Sequence, residues 1–157
     1  VIFGVDLGVR SVSIFGLTES KDDGDPVAYH CEVAKSNRGG ELLSLRQALL
    51  NMVTVDYQDL IVVEEPPYVN NRRTFGQLSM TAGAMLSVSS NSYPVAVDDW
   101  KKATVGRGGV GKPEVAQWLA AAHPELSARC AGNQNLVDAA CIALYGQLLR
   151  GTSTRTH

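Results

Sequence analysis

The chain has 157 residues, 45% apolar and 19% charged, which suits one globular domain with a sizeable core and excludes a disordered chain. Its formal net charge is −2, so a nucleic-acid role has to come from local clusters of Lys and Arg rather than from bulk charge. Cys31, Cys130 and Cys141 are an odd number with no CxxC pair, the usage of a reducing intracellular setting; with no charged-then-apolar leader and no bilayer-length apolar run, a cytoplasmic protein without a membrane partner is predicted.

Residues 2–6 and 11–18 read as two strands of a hairpin, the first densely apolar and ending in Asp6, the second alternating. A polar turn over 20–26 leads to a third strand over 27–34, a loop over 36–40, and a helix over 41–52 with leucines at helical spacing. The apolar run 60–64 predicts a central strand buried on both faces, stopped by Pro66 and Pro67. A polar loop over 68–73 precedes a helix over about 74–90, along which Gly76, Ser79, Gly83 and Ser87 form a small-residue stripe fit for close approach of a helix or sheet. A fifth strand over 93–97 follows as a parallel crossover, then Asp98 or Asp99 as N-cap of a short helix over 100–104. The glycine-rich loop 106–111 opens a helix that starts at Lys112 with Pro113 in its first turn and ends near His123 and Pro124. A last helix covers roughly 133–149, and residues 151–157 read as a frayed tail beyond one domain of residues 1–150. The fold class is α/β with a mixed five-stranded sheet flanked by helices.

Three acids stand out from this frame. Asp6 closes the first strand, Glu64 or Glu65 closes the fourth, and Asp138 lies in an otherwise apolar helix with Asn135 and Cys141 one turn to either side. A lone Asp after a strand is ordinarily a turn former, but a buried acid is costly without a cation or hydrogen bonds. Strand-end acids plus a helical acid can build a metal site, and hard oxygen ligands without a His or Cys cluster favour Mg²⁺ or Mn²⁺. Such a site suits two-metal hydrolysis of a phosphodiester. Cys141 reads as packing, and His30, His123 and His157 fit no ligand spacing. Arg10, Arg72, Arg73, Lys101, Lys102, Arg107 and Lys112 follow the strand ends that carry the acids, the edge where α/β sheets bind ligands. The loop 106–111 lacks the GxxxxGK[ST] order, yet a glycine-rich loop between cations suits approach to a phosphate backbone.

Several motifs resemble the RuvC-type Holliday junction resolvases of the RNase H-like nuclease superfamily, over about residues 2–148. Gly4-Val-Asp6-Leu-Gly8-Val-Arg10 resembles the first-strand motif with its catalytic Asp, and Val62-Val-Glu64-Glu65 the second, whose register implies Glu64 as ligand. Phe75-Gly-Gln-Leu and Ala82-Gly83-Ala84 are similar to the family's long helix, which implies a homodimer through the 74–90 helix. Trp100-Lys101-Lys102-Ala-Thr-Val-Gly106 resembles the stretch whose lysines meet junction phosphates, and the register picks Lys101 and Lys112. Asn135-Leu-Val-Asp138-Ala-Ala-Cys-Ile-Ala-Leu resembles the closing helix, with an amide, native or an inactivating change, where the family has its first acid. The resemblance implies an RNase H-like sheet and a Mg²⁺- or Mn²⁺-dependent endonuclease that cuts four-way junctions or related branched DNA in a phage or bacterial recombination setting. It implies metal on Asp6, Glu64, Asp138 and more weakly Asn135, with DNA contacts from Lys101, Lys112, Arg72, Arg73, Arg107 and, as a stacking aromatic, Tyr68. A nuclease acting on flaps or RNA–DNA hybrids and a catalytically weak junction-binding protein are the alternatives. An actin-like ATPase shares Gly-x-Asp-x-Gly but needs a duplicated domain.

Overall fold

The apolar opening Ile2–Leu7 forms β1, buried along its whole length, because strands pair with it on both sides and helices cover both its faces. The structure, a computed structural model, describes residues 1–18, 25–32, 38–52, 59–67 and 69–153. Beside β1 lie β2 (Ser11–Leu17) and β3 (Val27–Glu32) as an antiparallel meander, and β4 (Leu60–Glu64) and β5 (Ser92–Val95) in parallel on the other side. The order β3-β2-β1-β4-β5 is the mixed five-stranded sheet expected from the sequence. The β1–β4 register pairs Val5 with Val63, so one further step sets Asp6 beside Glu64 at the same edge and on the same face.

The two faces carry different helices. Phe3, Val5, Leu7, Ile61 and Val63 point to one core, shared with Leu42 and Leu49 of α1 (Arg38–Met52) and Leu78, Ala82 and Met85 of α2 (Arg72–Leu86). Ile2, Phe15, Leu17, Leu60 and Val62 point to the other core. That core is closed by α3 (Val97–Val105), α4 (Lys112–Ala122), α5 (Pro124–Arg129) and α6 (Gln134–Ser153). Here α6 lies directly on the sheet: a Cβ on Gly4 would come within 2.1 Å of the Ala139 carbonyl oxygen and 2.4 Å of the Ala143 nitrogen. Gly146 makes the reciprocal approach: a Cβ there would come within 2.7 Å of Ile2 Cγ2 and 2.9 Å of Val62 Cγ2. Asp138 rides on this close-packed helix.

Several local expectations are corrected. α3 starts at Val97 with Ala96 as an N-cap lacking a side-chain bond; Asp98 and Asp99 fall in its first turn, where the helix dipole favours acids. Asp98 Oδ1 accepts from the Gly109 amide at 3.1 Å, so it ties down the glycine-rich loop instead of capping the helix. Pro124 begins α5 at N1 as well as ending the region of α4, and α6 runs on to Ser153 through the predicted tail. Within the chain the close helix–sheet approach is made by α6; a Cβ on Gly76 or Gly83 of the α2 stripe would have nothing within 4 Å among the described residues. Residues 20–24 of the polar turn, 33–34 of the third strand, 36–37 of the next loop, Tyr68 and residues 154–157 of the tail lie outside the described residues.

Candidate active site

At the carboxyl edge of β1 and β4, a cleft of about 250 Å³ is lined by Asp6, Leu7, Gly8, Glu64, Val97, Trp100, Lys101, Lys112, Asn135 and Asp138. Asp6 comes from the end of β1, Glu64 from the end of β4, and Asp138 from the first turns of α6. All three carboxylates are buried. The side-chain alternation of β4 sends its two acids to different places. Glu64 shares the Asp6 face, whereas exposed Glu65 lines a separate hollow with Pro66, Pro67 and Asp98.

Each carboxylate has its own partners. The buried indole of Trp100 donates its N–H to Glu64 Oε2 at 3.1 Å, fixing that side chain from beneath α3. Lys101 Nζ donates to the Val110 carbonyl at 2.8 Å and sits 5.5 Å from the centre of the Trp100 ring. Lys112 Nζ donates to Asn135 Oδ1 at 2.9 Å and lies 3.5 Å from Asp138 Oδ2. Gln134 Nε2 donates to the other oxygen, Asp138 Oδ1, at 3.3 Å.

Burial dominates the protonation of the site. Asp6 is pushed up to about 8, first by desolvation and then by the charges of Glu64 and Asp138, with Lys112 opposing. Glu64 is raised to about 7 by burial and by Asp138, against the Trp100 hydrogen bond and the two lysines. Asp138 is raised by burial and held back by Lys112 and Gln134. Burial likewise lifts the Cys141 thiol far above its usual range; its side chain is fully enclosed, in keeping with a packing role.

Hard oxygen donors converging on a cleft with room between them fit a divalent cation, whose charge would offset three buried carboxylates. In the side-chain positions seen, no three Asp, Glu, His or Cys among the described residues form a group that could hold an ion. Asn135 does join the cleft, by way of Lys112.

Of the remaining predicted contacts, Arg72, Arg73 and Arg107 lie outside the cleft. Exposed Arg107 is paired with Glu114, and Arg72 and Arg73 stand exposed at the start of α2, beyond the end of β4. Sequence reasoning missed the bond from Trp100 to Glu64. Its only signal was a Trp directly before Lys101 and Lys102, after the fifth strand. His30 is structural, bonded through Nδ1 to Ser13 Oγ at 2.7 Å.

A mixed five-stranded sheet in this strand order, flanked by helices on both faces, is an RNase H-like fold. No family model matches the chain, and no curated protein matches it by sequence. Among solved structures, Thermus thermophilus RuvC in complex with a Holliday junction substrate superposes with a TM-score of 0.66 at 17% identity, over 91% of this chain and 90% of that one. A second T. thermophilus RuvC structure gives 0.59 at the same identity and coverage. The chain has a RuvC-like fold.

Proposed function

We propose that this chain is a Mg²⁺- or Mn²⁺-dependent endonuclease that cuts Holliday junctions or related branched DNA as a homodimer. The observation that carries the reading is the convergence of Asp6, Glu64 and Asp138, from three separate elements, in one cleft with Lys101 and Lys112. The likeness in fold to a junction-bound resolvase supports the choice of substrate. A divalent ion bound there would lower the pKa of an attacking water and stabilise the leaving oxygen of the phosphodiester.

The chain's own residues do the rest. Asp6, Glu64 and Asp138 supply the negative charge that holds the ion, and Trp100 keeps the Glu64 carboxylate aimed at it. Lys101 and Lys112 bring positive charge to the cleft wall, where a DNA phosphate gains from it. Arg72, Arg73 and Arg107 extend that charge outward along the backbone, and Tyr68 is a candidate for stacking on unpaired bases. Two subunits would present two clefts to two symmetric strands, and the exposed Met80 of α2, between Gly76 and Gly83, offers an apolar point for their contact.

Cleavage of a synthetic four-way junction beside flap, duplex and RNA–DNA hybrid substrates tests this reading. Paired nicks in the junction are expected, dependent on Mg²⁺ or Mn²⁺ and lost in Asp6→Asn. Preferential cutting of the flap or the hybrid would reassign the substrate, and tight junction binding without cleavage would identify a binding protein.

A further inference from the structure

The cleft is unequal in its two halves. On the β-strand side, Glu64 Oε1 carries no hydrogen bond from the described residues, and Asp6 takes one from its neighbouring Leu7 amide. On the α6 side, every oxygen is engaged: Asn135 Oδ1 and Asp138 Oδ2 by the Lys112 ammonium, Asp138 Oδ1 by Gln134. Asn135 also brings an amide, which can ligate a hard cation but supplies no charge to attract it.

We infer that Lys112 is the resident cation of the Asn135–Asp138 half, so that this chain takes one divalent ion, on Asp6 and Glu64 with Asp138 at its margin, rather than two. The inference rests on the nuclease reading and narrows it. Its first ground is steric. Mg²⁺ needs oxygens at about 2.0–2.1 Å, and an ammonium already within bonding reach of both α6 acceptors fills the space between them. Its second ground is charge. Three carboxylates already face two ammonium groups, Lys101 and Lys112, so one divalent ion leaves one positive charge in excess and a second would leave three, beside carboxylates that are buried. Lys112 is anchored for this place: it opens α4 at the end of the loop that Asp98 ties down through Gly109. A lysine serves here as a fixed point charge that stays when the ion leaves.

The test counts ions by the electron paramagnetic resonance of Mn²⁺ bound to the full chain, alone and in samples frozen on mixing with a four-way junction. One tight Mn²⁺ per chain with the spectrum of an isolated ion is expected in both, and Asp6→Asn should abolish it. In Lys112→Met/Asn135→Asp, which restores a charge and removes the resident cation, a second Mn²⁺ about 4 Å from the first should appear as a spin-coupled spectrum. Asn135→Asp alone should keep one ion, because the new carboxylate strengthens its pairing with Lys112. Circular dichroism confirms that the variants are folded, and Lys112→Gln with added Mn²⁺ gives a milder version of the same comparison. A coupled pair in the unaltered chain, or a double variant that still binds one isolated ion, overturns the inference and leaves the nuclease reading standing. No tight Mn²⁺ in the unaltered chain overturns both.

Discussion

Trp100 shows how one hydrogen bond can set the chemistry of a carboxylate. Its ring is buried against α6 and the sheet, and its indole N–H meets Glu64 Oε2 at 3.1 Å, leaving the other oxygen to face the cleft. Trp100→Phe keeps most of the packing and removes the donor. Affinity for the divalent ion, measured by calorimetry, should fall by about 10- to 100-fold, the usual cost of losing an outer-shell partner. The same buried carboxylates make the cation-free protein sensitive to pH. Asp6 and Glu64 are raised to about 8 and about 7 in the fold, so the folded chain retains protons that the unfolded chain has already released. Their contribution to stability is therefore complete below the ordinary carboxyl range and is lost as pH rises through those raised values. Thermal unfolding in EDTA should show Tm declining by several degrees between about pH 5 and pH 9. Mg²⁺ should restore more of it at the alkaline end, and Asp6→Asn should flatten the profile.

At the scale of elements, the closeness of α6 to β1 sets the position of Asp138. The helix backbone stands where a side chain on Gly4 would be, 2.1 Å from the Ala139 carbonyl oxygen. Gly4→Ala forces the helix away from the strand, since the obstacle is backbone and not a flexible side chain. Denaturant unfolding should show a loss of about 3 kcal/mol or more, and cleavage should fall further than stability because Asp138 moves with the helix. The sequence carries both halves of this contact, Gly4 on the strand and the small residues Ala139, Ala143 and Gly146 on the helix. It does not say that they meet. The stripe Gly76, Ser79, Gly83 and Ser87 on α2 looks equally suited to close packing, yet Gly76 and Gly83 are exposed. A small-residue stripe permits approach, and only the partner surface decides whether approach occurs.

For the whole molecule, the exposed side of α2 is where a second copy would bind if the chain acts as a homodimer. Met80 is 58% exposed there, between Gly76 and Gly83 on the side of the helix away from the buried Leu78, Ala82 and Met85. Met80→Glu should weaken self-association by about tenfold or more, the effect of placing a charge in an apolar contact, as read by sedimentation, with Tm unchanged. Paired nicking of a junction should then give way to single nicks. The modest net charge hides a local arrangement: three of the sixteen acids meet in the cleft, with Lys101 and Lys112 on its wall.

By itself the sequence determined the strand–helix order apart from the short helix α5, the mixed sheet, and the acids at the ends of two strands and in the last helix, because these are written in local periodicity and in breaks of apolar runs. It could not decide between Glu64 and Glu65, since adjacent strand residues differ only in the face they take, and the face is chosen by pairing with β1. It could not show that Trp100 holds Glu64, or that Lys112 turns inward to Asn135 and Asp138, as these contacts join residues 36, 23 and 26 apart along the chain. Such contacts depend on where whole elements pack. Asp6 is an acid at a strand end in the sequence; the tertiary structure makes it one wall of a cleft whose opposite wall already carries a cation.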